Sequence, residues 1–195
     1  MLDTKARSIV QPFIGKCAEM FIRWGLSANQ VTLLALVIGL IPAIMMTMGL
    51  SSLLAVSILW LSGLFDAVDG TIARKTNTMS PFGSVMDITF DRLVEISLLI
   101  SIAYRYSNAP MVFVVLASSI ILSMTIFLTV GAASEKASEK SFYYQPGLAE
   151  RTEGFILFSL MMIFTNYVDI LAMIFSGLIL LTACQRFIEA YKHLR

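Results

Sequence analysis

Four aspartates are the residues whose types and spacing most clearly indicate chemistry. Asp66 and Asp69 are three positions apart and Asp87 and Asp91 are four apart, and both pairs interrupt long apolar stretches. Residues at these spacings share one face of a helix. An ionisable residue inside a membrane span costs at least ~2.5–3.5 kcal/mol on insertion scales. Their presence therefore indicates a functional site between two consecutive helices.

Clustered carboxylates can be tolerated in a low dielectric if they are protonated or if they bind cations. Carboxylate oxygens suit Mg²⁺, Mn²⁺ or Ca²⁺. Two divalent ions bridged by shared carboxylates would balance the formal charge of four aspartates, and such sites typically serve displacement at phosphorus. The alternative is ion pairing with Arg74 and Arg92, which would leave half of the acidic charge unmatched.

Small residues and one arginine follow the first aspartate pair. Gly70, Ala73 and Gly83 would let a flat ligand approach the helix backbones, and Arg74 offers a two-pronged contact to a phosphate. Together they indicate a nucleotide diphosphate site. Single glycines also serve close helix packing in membranes.

The composition restricts the elements that can carry this site to membrane helices. Of 195 residues, 57% are hydrophobic and only 14% are charged, and the mean hydropathy is +0.81. This excludes an ordinary soluble domain and a disordered chain. A net charge of +1 provides no field for nucleic acid. Cys17 and Cys184 form no disulfide framework and match no zinc spacing.

We predict a single all-α membrane domain over residues 1–195. A span needs about 20 apolar residues. The sequence predicts six transmembrane helices within a bundle at 31–190, at residues 31–50, 53–72, 82–104, 110–133, 154–167 and 170–188. The fifth of these is short, and we expect it to begin several residues earlier, near Leu148.

Residues 2–24 have apolar side chains at helical spacing with charges between them, which predicts an amphipathic helix in the membrane interface. The alternative is a poorly ordered tail. Pro12 predicts a kink or a break. Apart from Arg92 inside a span, all lysines and arginines except Arg105 fall on the side of the termini. This places the termini and the active site in the cytoplasm of a cell-membrane protein.

The aspartates belong to a longer run that resembles the full signature of the CDP-alcohol phosphotransferase (CDP-alcohol phosphatidyltransferase) family: Asp66-x2-Asp69-Gly70-x2-Ala73-Arg74-x8-Gly83-x3-Asp87-x3-Asp91. The segment from Ser27 to Thr32 is similar to the family's Pro-Asn-x-x-Thr segment, with Ala28 replacing the proline. The family has six transmembrane helices and an N-terminal interfacial helix, and the resemblance also implies a possible homodimer.

The resemblance implies a role for each signature residue. Asp66, Asp69 and Asp87 would hold one divalent ion, Mg²⁺ or Mn²⁺, and Asp66, Asp87 and Asp91 a second. Asp91 would also be the general base. The CDP donor would bind Asp69, Gly70, Ala73, Arg74 and Gly83. The implied reaction transfers a phosphatidyl group from CDP-diacylglycerol to a small polar alcohol and releases CMP.

The acceptor is less closely specified. Cations on the cytoplasmic side are candidates to bind a phosphorylated acceptor, or they reflect ordinary membrane topology: Lys136, Lys140, Arg151 and Arg186. Residues 147–153 resemble the Glu-Arg-x-Glu-Arg segment of the inositol-phosphate-using branch, with Gly154 in place of the second arginine. We therefore favour inositol phosphate or another phosphorylated polyol, followed by glycerol phosphate and serine, with a CDP-choline or CDP-ethanolamine reaction behind them. A cation transporter and a non-enzymatic scaffold are the remote alternatives.

Overall fold

The computed structural model describes residues 2–137 and 151–193, and every regular element in those ranges is helical. The fold consists of seven α-helices and one short 3₁₀ turn, Thr165–Tyr167, before the last helix. The helices are α1 Leu2–Arg23, α2 Ala28–Met48, α3 Ser52–Lys75, α4 Pro81–Tyr106, α5 Pro110–Ala137, α6 Arg151–Ile163 and α7 Val168–His193.

Short capped connections join α2 to α3 and α3 to α4, and α2 packs against both of the other helices. Ser27 and Gln30 form a capping box at the start of α2, and Gly49 ends that helix at a φ of +71°. A serine hydroxyl caps each of the next two helices, since Ser51 accepts from the backbone of α3 and Ser80 from the backbone of α4. These caps satisfy amides that have no partner within the helix. The Ser80 cap fixes where α4 begins, two turns before Asp87.

The main hydrophobic core contains residues from each of the six helices α2 through α7. A second hydrophobic cluster packs α1 against α2 and α3. Near the middle of α2 the packing is close. A Cβ atom on Gly39 would lie 2.6 Å from Val94 of α4 and 2.7 Å from the Ser62 hydroxyl of α3. Ser62 donates a 2.8 Å hydrogen bond to the backbone oxygen of Ala35. The helices that carry the aspartates are therefore held firmly against α2.

Four helices of the described residues are long and apolar enough to cross a membrane: Ala28–Met48, Ser52–Lys75, Pro110–Ala133 and Thr165–Lys192. The other two predicted spans differ from these for physical reasons. Helix α4 has the length, but it carries Asp87, Asp91, Arg92 and Glu95. Helix α6 contributes only a short apolar stretch, Thr152–Ile163. The chain is a polytopic helical membrane protein, and its division into six spans stays a prediction.

The structure corrects the predicted helix at 154–167. Helix α6 ends at Ile163, and Phe164 leaves helical geometry at a ψ of 61°. The following turn leads directly into α7, whose Asp169 accepts hydrogen bonds from Ser107 Oγ at 2.6 Å and the Asn108 amide at 3.1 Å. The start of α7 therefore lies beside the end of α4.

Helix α1 is assigned from Leu2 to Arg23 and continues through Pro12, so the predicted break is not observed. Its buried residues Ile14, Ala18 and Phe21 pack against α2 and α3. Lys75 at the end of α3 donates to Glu19 Oε1 at 2.7 Å and to a backbone oxygen of α1 at 3.3 Å. The hydrogen bond from Lys75 lowers the pKa of the Glu19 carboxyl. A location of α1 in the membrane interface stays a prediction.

Candidate active site

Three of the four aspartates converge between α3 and α4. One carboxylate oxygen from each of Asp66, Asp69 and Asp87 lies within 4.8 Å of the others. Asp66 and Asp69 are 9% and 6% exposed. The structure therefore gathers the residues predicted to hold the first ion, between the second half of α3 and the first turns of α4.

The donor set fits a hard divalent cation. Within the described part of the chain, Asp69 Oδ2 is buried and has no hydrogen-bond partner. A buried carboxylate oxygen without a partner is costly, and a divalent cation coordinated by oxygen atoms removes that cost. Carboxylate clustering and an orphaned oxygen thus agree with each other in indicating a metal centre.

Asp91 lies one turn further along α4, outside the group of three. It lines a small enclosed cavity together with Asp66, and a larger cavity together with Asp87. This position puts its side chain beside the cluster, on the side that faces α5 and α7. It suits a group that contacts both the proposed second ion and an incoming substrate.

All five residues predicted to bind the CDP donor line one cavity of about 230 Å³ at the α3–α4 turn. A Cβ atom on Gly83 would lie 3.2 Å from Ser80 Oγ and 3.5 Å from Asn29 Oδ1, so a side chain there would crowd the cavity wall. Arg74 donates to Thr71 Oγ1 at 3.1 Å, which orients its guanidinium from the same helix. The residues predicted to contact the donor therefore share one cavity wall.

Sequence reasoning did not assign several polar residues that line this cavity: Asn29, Thr32, Thr78, Ser80 and Ser84. Asn29 and Thr32 belong to the segment already noted as similar to the family's Pro-Asn-x-x-Thr, which was the available signal. Thr78 and Ser80 lie in the α3–α4 turn, where residues of these types are common for local reasons. No spacing in the sequence distinguishes them as ligand contacts.

A second cavity, of about 480 Å³, opens between α1, α3 and α6. Its polar end includes Asp66, Asp69 and Arg74, and its apolar end includes Trp60 and Phe155. Trp60 donates to Ser159 Oγ at 3.0 Å and packs edge-on against Phe155. A space that changes from charged to apolar along its length suits an amphipathic molecule such as a nucleotide-linked lipid.

A third cavity, of about 320 Å³, lies on the other side of the aspartates, between α4, α5, α6 and α7. Arg186 lines it from α7. Its NH1 donates to Ser123 Oγ at 3.4 Å, and its guanidinium lies 5.2 Å from the centre of the Phe127 ring. Of the four predicted acceptor-binding cations, Arg186 is therefore brought to a cavity that also contains Asp91.

The other three acceptor candidates are not located by their side chains. Lys136 lies in the last turn of α5 and Arg151 in the first turn of α6, and for these two residues the structure describes the backbone alone. Lys140 lies outside the described residues. Their roles stay predictions.

The two arginines that could have neutralised the aspartates have other contacts. Arg92 pairs with Glu95 on its own helix, and Arg74 contacts Thr71. Arg92 is paired with a carboxylate outside the aspartate cluster. This disfavours the alternative in which the two arginines alone balance the charge of the cluster.

The chain belongs to the CDP-alcohol phosphatidyltransferase family, whose model matches residues 26–184. This confirms the resemblance found in the signature run. The archaetidylinositol phosphate synthase of Pyrococcus horikoshii is 29% identical over 98% of this chain and 97% of its own length. Inner membrane protein YnjF of Escherichia coli is 26% identical over 100% of this chain and 98% of its own.

The fold is similar to that of phosphatidylinositol phosphate synthase from Mycobacterium tuberculosis. A crystal structure of that enzyme in complex with manganese and citrate matches with a TM-score of 0.73 at 19% identity, covering 91% of this chain and 88% of the enzyme chain. A structure of the same enzyme with CDP-DAG bound matches with a TM-score of 0.70. These matches show that the arrangement of helices is shared.

Proposed function

We propose that the protein transfers a phosphatidyl group from CDP-diacylglycerol to a hydroxyl of a phosphorylated polyol, with inositol phosphate as the favoured acceptor, and releases CMP. The observation that carries the proposal is the position of the aspartate cluster. Asp66 and Asp69 line the amphipathic cavity, which is the space of about 480 Å³ between α1, α3 and α6. Asp87 lines that cavity, the third cavity, and the space of about 230 Å³ at the α3–α4 turn, here called the nucleotide-sized cavity. A reaction that joins a nucleotide-linked lipid to a polar alcohol needs such a junction.

Asp66, Asp69 and Asp87 would hold one divalent ion, Mg²⁺ or Mn²⁺, and Asp66, Asp87 and Asp91 a second. Bound there, the ions would act as Lewis acids on the phosphoryl oxygens and stabilise the charge of the departing CMP. Supporting observations are the convergence of the three carboxylates and the unpartnered Oδ2 of Asp69. The manganese complex of the structurally similar enzyme agrees with this choice of metal.

Asp91 is proposed as the general base. The acceptor oxygen forms a bond to the lipid-side phosphorus, the bond from that phosphorus to the CMP oxygen breaks, and the hydroxyl proton moves to the Asp91 carboxylate. Such a transfer requires hydrogen-bond reach between base and hydroxyl. The position of Asp91 in the wall of the third cavity supplies this reach for an acceptor bound there.

The donor is proposed to occupy the first two cavities together. Its cytidine nucleotide would lie against Gly70, Ala73 and Gly83, with Arg74 on the diphosphate as a planar charge-assisted donor. Its acyl chains would extend past Trp60 into lipid. The change from polar to apolar lining in the cavity between α1, α3 and α6 supports this orientation.

The acceptor is proposed to enter the third cavity and to place its phosphate near Arg186, with Lys136, Lys140 and Arg151 assisting from the cytoplasmic side. The name of the Pyrococcus horikoshii relative supports an inositol phosphate acceptor. Glycerol phosphate and serine are the alternatives within the family. Both termini and the active site are proposed to face the cytoplasm, and two chains are proposed to form a homodimer.

Purified protein should be incubated with CDP-diacylglycerol, Mg²⁺ or Mn²⁺ and a set of labelled acceptors, including inositol phosphate, glycerol phosphate and serine. We expect CMP release that depends on both metal and acceptor, with the label of inositol phosphate entering lipid most rapidly. Incorporation of serine alone would contradict the proposed acceptor class. An absence of CMP release with every acceptor would contradict the reaction.

A further inference from the structure

An ion pair within α4 forms part of the wall of the third cavity. Arg92 NH1 pairs with Glu95 Oε2, and the two side chains are 30% and 23% exposed. Arg92 Nε is buried and has no hydrogen-bond partner within the described residues. Neither residue belongs to the signature run, and nothing in the proposed reaction so far uses them.

This ion pair is not explained by a contribution to the stability of the fold. An ion pair that is largely removed from water is often no more stabilising than apolar residues of similar volume, because both charges lose much of their hydration. Ionisable residues within membrane helices are accordingly rare and face a polar interior. Both Arg92 and Glu95 line the cavity that also contains Asp91 and Arg186. A polar ligand in that cavity would lie within reach of both side chains.

The helix geometry gives Glu95 a defined depth in the cavity. Ser107 at the end of α4 contacts Asp169 at the start of α7. This contact provides a common reference level, from which the distance to a residue can be measured along either helix. At about 1.5 Å per residue, Asp91 lies about 24 Å from this level along α4 and Arg186 about 26 Å along α7, whereas Glu95 lies only about 18 Å away. Glu95 is therefore about 6–8 Å closer to this level, and further from the proposed cytoplasmic entrance of the cavity, than Asp91 and Arg186.

This depth separates the possible acceptors. An acceptor with its phosphate at Arg186 and its reacting hydroxyl at Asp91 has used two positions at a similar level. Glycerol phosphate then has one further hydroxyl, between those two ends of the molecule. A hydroxylated six-membered ring has several, and those opposite the bound edge point into the deeper part of the cavity.

We infer that Glu95, positioned by Arg92, is a specificity-determining residue that accepts hydrogen bonds from acceptor hydroxyls remote from the reacting one. An ionised carboxylate offers about four acceptor sites, so a carboxylate already paired with Arg92 still has the capacity to bind hydroxyl groups. The residue favours a polyhydroxylated ring phosphate over a three-carbon phosphate. This inference rests on the proposed function and concerns the substrate class of the same site.

The test compares kcat and KM of wild type, Glu95→Gln, Glu95→Asp and Arg92→Lys for two acceptors, inositol phosphate and glycerol phosphate. We expect Glu95→Gln to raise the KM for inositol phosphate about ten- to a hundredfold, the scale of a lost charge-assisted hydrogen bond. The KM values for glycerol phosphate and CDP-diacylglycerol should stay nearly unchanged. Glu95→Asp should recover part of the loss, and Arg92→Lys should act in the same direction as Glu95→Gln.

Glu19→Gln is the matched control, because Glu19 also pairs with a cation, Lys75, but lies outside the third cavity. It should not change the preference between acceptors. If Glu95→Gln fails to fold, Glu95→Asp and Arg92→Lys provide the same comparison. Equal losses for both acceptors, or no change for either, would overturn the inference and leave the reaction standing. Wild-type protein that releases no CMP with either acceptor would overturn the proposed function and this inference with it.

Discussion

The donor side and the acceptor side of the aspartate cluster are built in different ways. The nucleotide-sized cavity is lined by residues of α2, α3, α4 and the turn between α3 and α4, from Ala28 to Asp87. The cavity on the acceptor side draws on four helices, from Asp87 of α4 to Arg186 of α7. Under the proposed function, the nucleotide end of the donor site is thus encoded in a short run of sequence, whereas the acceptor site draws on helices that are distant in the chain.

The two sides also differ in how their key cations are held. Arg74 is oriented by Thr71, one turn away on the same helix. Arg186 is oriented by Ser123 and Phe127 of another helix, α5. The orientation of Arg74 should therefore depend on α3 alone, whereas that of Arg186 should depend on the packing of α7 against α5.

The largest effect is expected for the residues at the centre of the comparison. Asp66→Asn or Asp87→Asn removes a carboxylate assigned to both ions, and Lewis-acid stabilisation amounts to several kcal/mol. We expect at least ~10³-fold loss of kcat in a CMP-release assay, with the protein still folded. Asp169→Asn is the matched control: it changes an aspartate that accepts hydrogen bonds from Ser107 and Asn108, at the opposite end of α4 from the cluster, so kcat should be retained. A fully active Asp66→Asn enzyme would contradict the assignment.

Asp91→Asn should separate the chemical step from donor binding. The loss of a general base costs about 10²- to 10⁴-fold in rate, while the KM for CDP-diacylglycerol should stay within about threefold of wild type because Arg74 and the other aspartates remain. Steady-state kinetics at saturating acceptor measure both quantities. If the donor KM rises strongly and the saturated rate is unchanged, Asp91 is a binding residue and its proposed role is wrong.

The comparison becomes sharpest when one arginine from each side is removed. Arg74→Ala should raise the KM for CDP-diacylglycerol, and Arg186→Ala the KM for a phosphorylated acceptor. Each change should be about one to two orders of magnitude, since each removes a charge-assisted contact of ~1.5–3 kcal/mol. Each variant should leave the KM of the other substrate nearly constant. Two variants that raise both KM values equally would show that the two cavities do not act as separate sites.

The extent to which this site could be predicted follows from the same difference. Asp66, Asp69, Asp87 and Arg74 stand at fixed offsets on two helices joined by a short turn, so helical periodicity was enough to place them together. Arg186 was predicted from its charge as one of four candidate cations, but the cavity that it lines depends on the packing of α7 against α5, which no local pattern specifies. The sequence analysis did not assign a role to the Arg92–Glu95 pair, because an i,i+3 ion pair is ordinarily found on the exposed surface of a helix.

Fold prediction failed where local chemistry and hydropathy compete. Hydropathy alone continued the fifth span to residue 167, but the chain leaves helical geometry at Phe164 and Asp169 ties the start of α7 to the α4–α5 loop. Pro12 predicted a kink or a break in α1; the helix is not broken there, and Ile14 and Ala18 beyond it pack against α2 and α3. Tertiary contacts outweigh local preferences in both cases.

Packing on the two sides should respond differently to an added methyl group. Gly39→Ala places a Cβ within 2.6 Å of Val94 and 2.7 Å of Ser62 Oγ, which should destabilise the α2–α3–α4 unit by about 1–3 kcal/mol. Gly177→Ala on α7 meets no atom within 4 Å and should be neutral or slightly stabilising. Thermal unfolding in detergent measures both variants. Equal melting temperatures would show that the close packing around Gly39 is not important for stability.

The smallest effect concerns the contact that ties α1 to α3. Lys75 lowers the pKa of Glu19 below its usual value of 4.5. A lowered pKa in the folded state means that this contact contributes stability above about 4.5, and that the contribution is lost as the pH falls through the lowered pKa. Because Glu19 is solvent-exposed, the change should be smaller than that of Gly39→Ala. Melting temperatures of wild type and Glu19→Gln should converge at low pH, whereas a constant difference would contradict this origin.

The central claim is that the Asp66, Asp69 and Asp87 cluster is a divalent-metal centre for phosphatidyl transfer. Mn²⁺ titration of chelator-treated protein, followed at once by the electron paramagnetic resonance of bound Mn²⁺ and by CMP release from CDP-diacylglycerol, tests it most directly. We predict no turnover in excess chelator, recovery of turnover over the concentration range in which Mn²⁺ binds, and loss of both signals in Asp66→Asn. Wild-type turnover that persists in excess chelator, or Mn²⁺ binding that Asp66→Asn leaves intact, would contradict the claim.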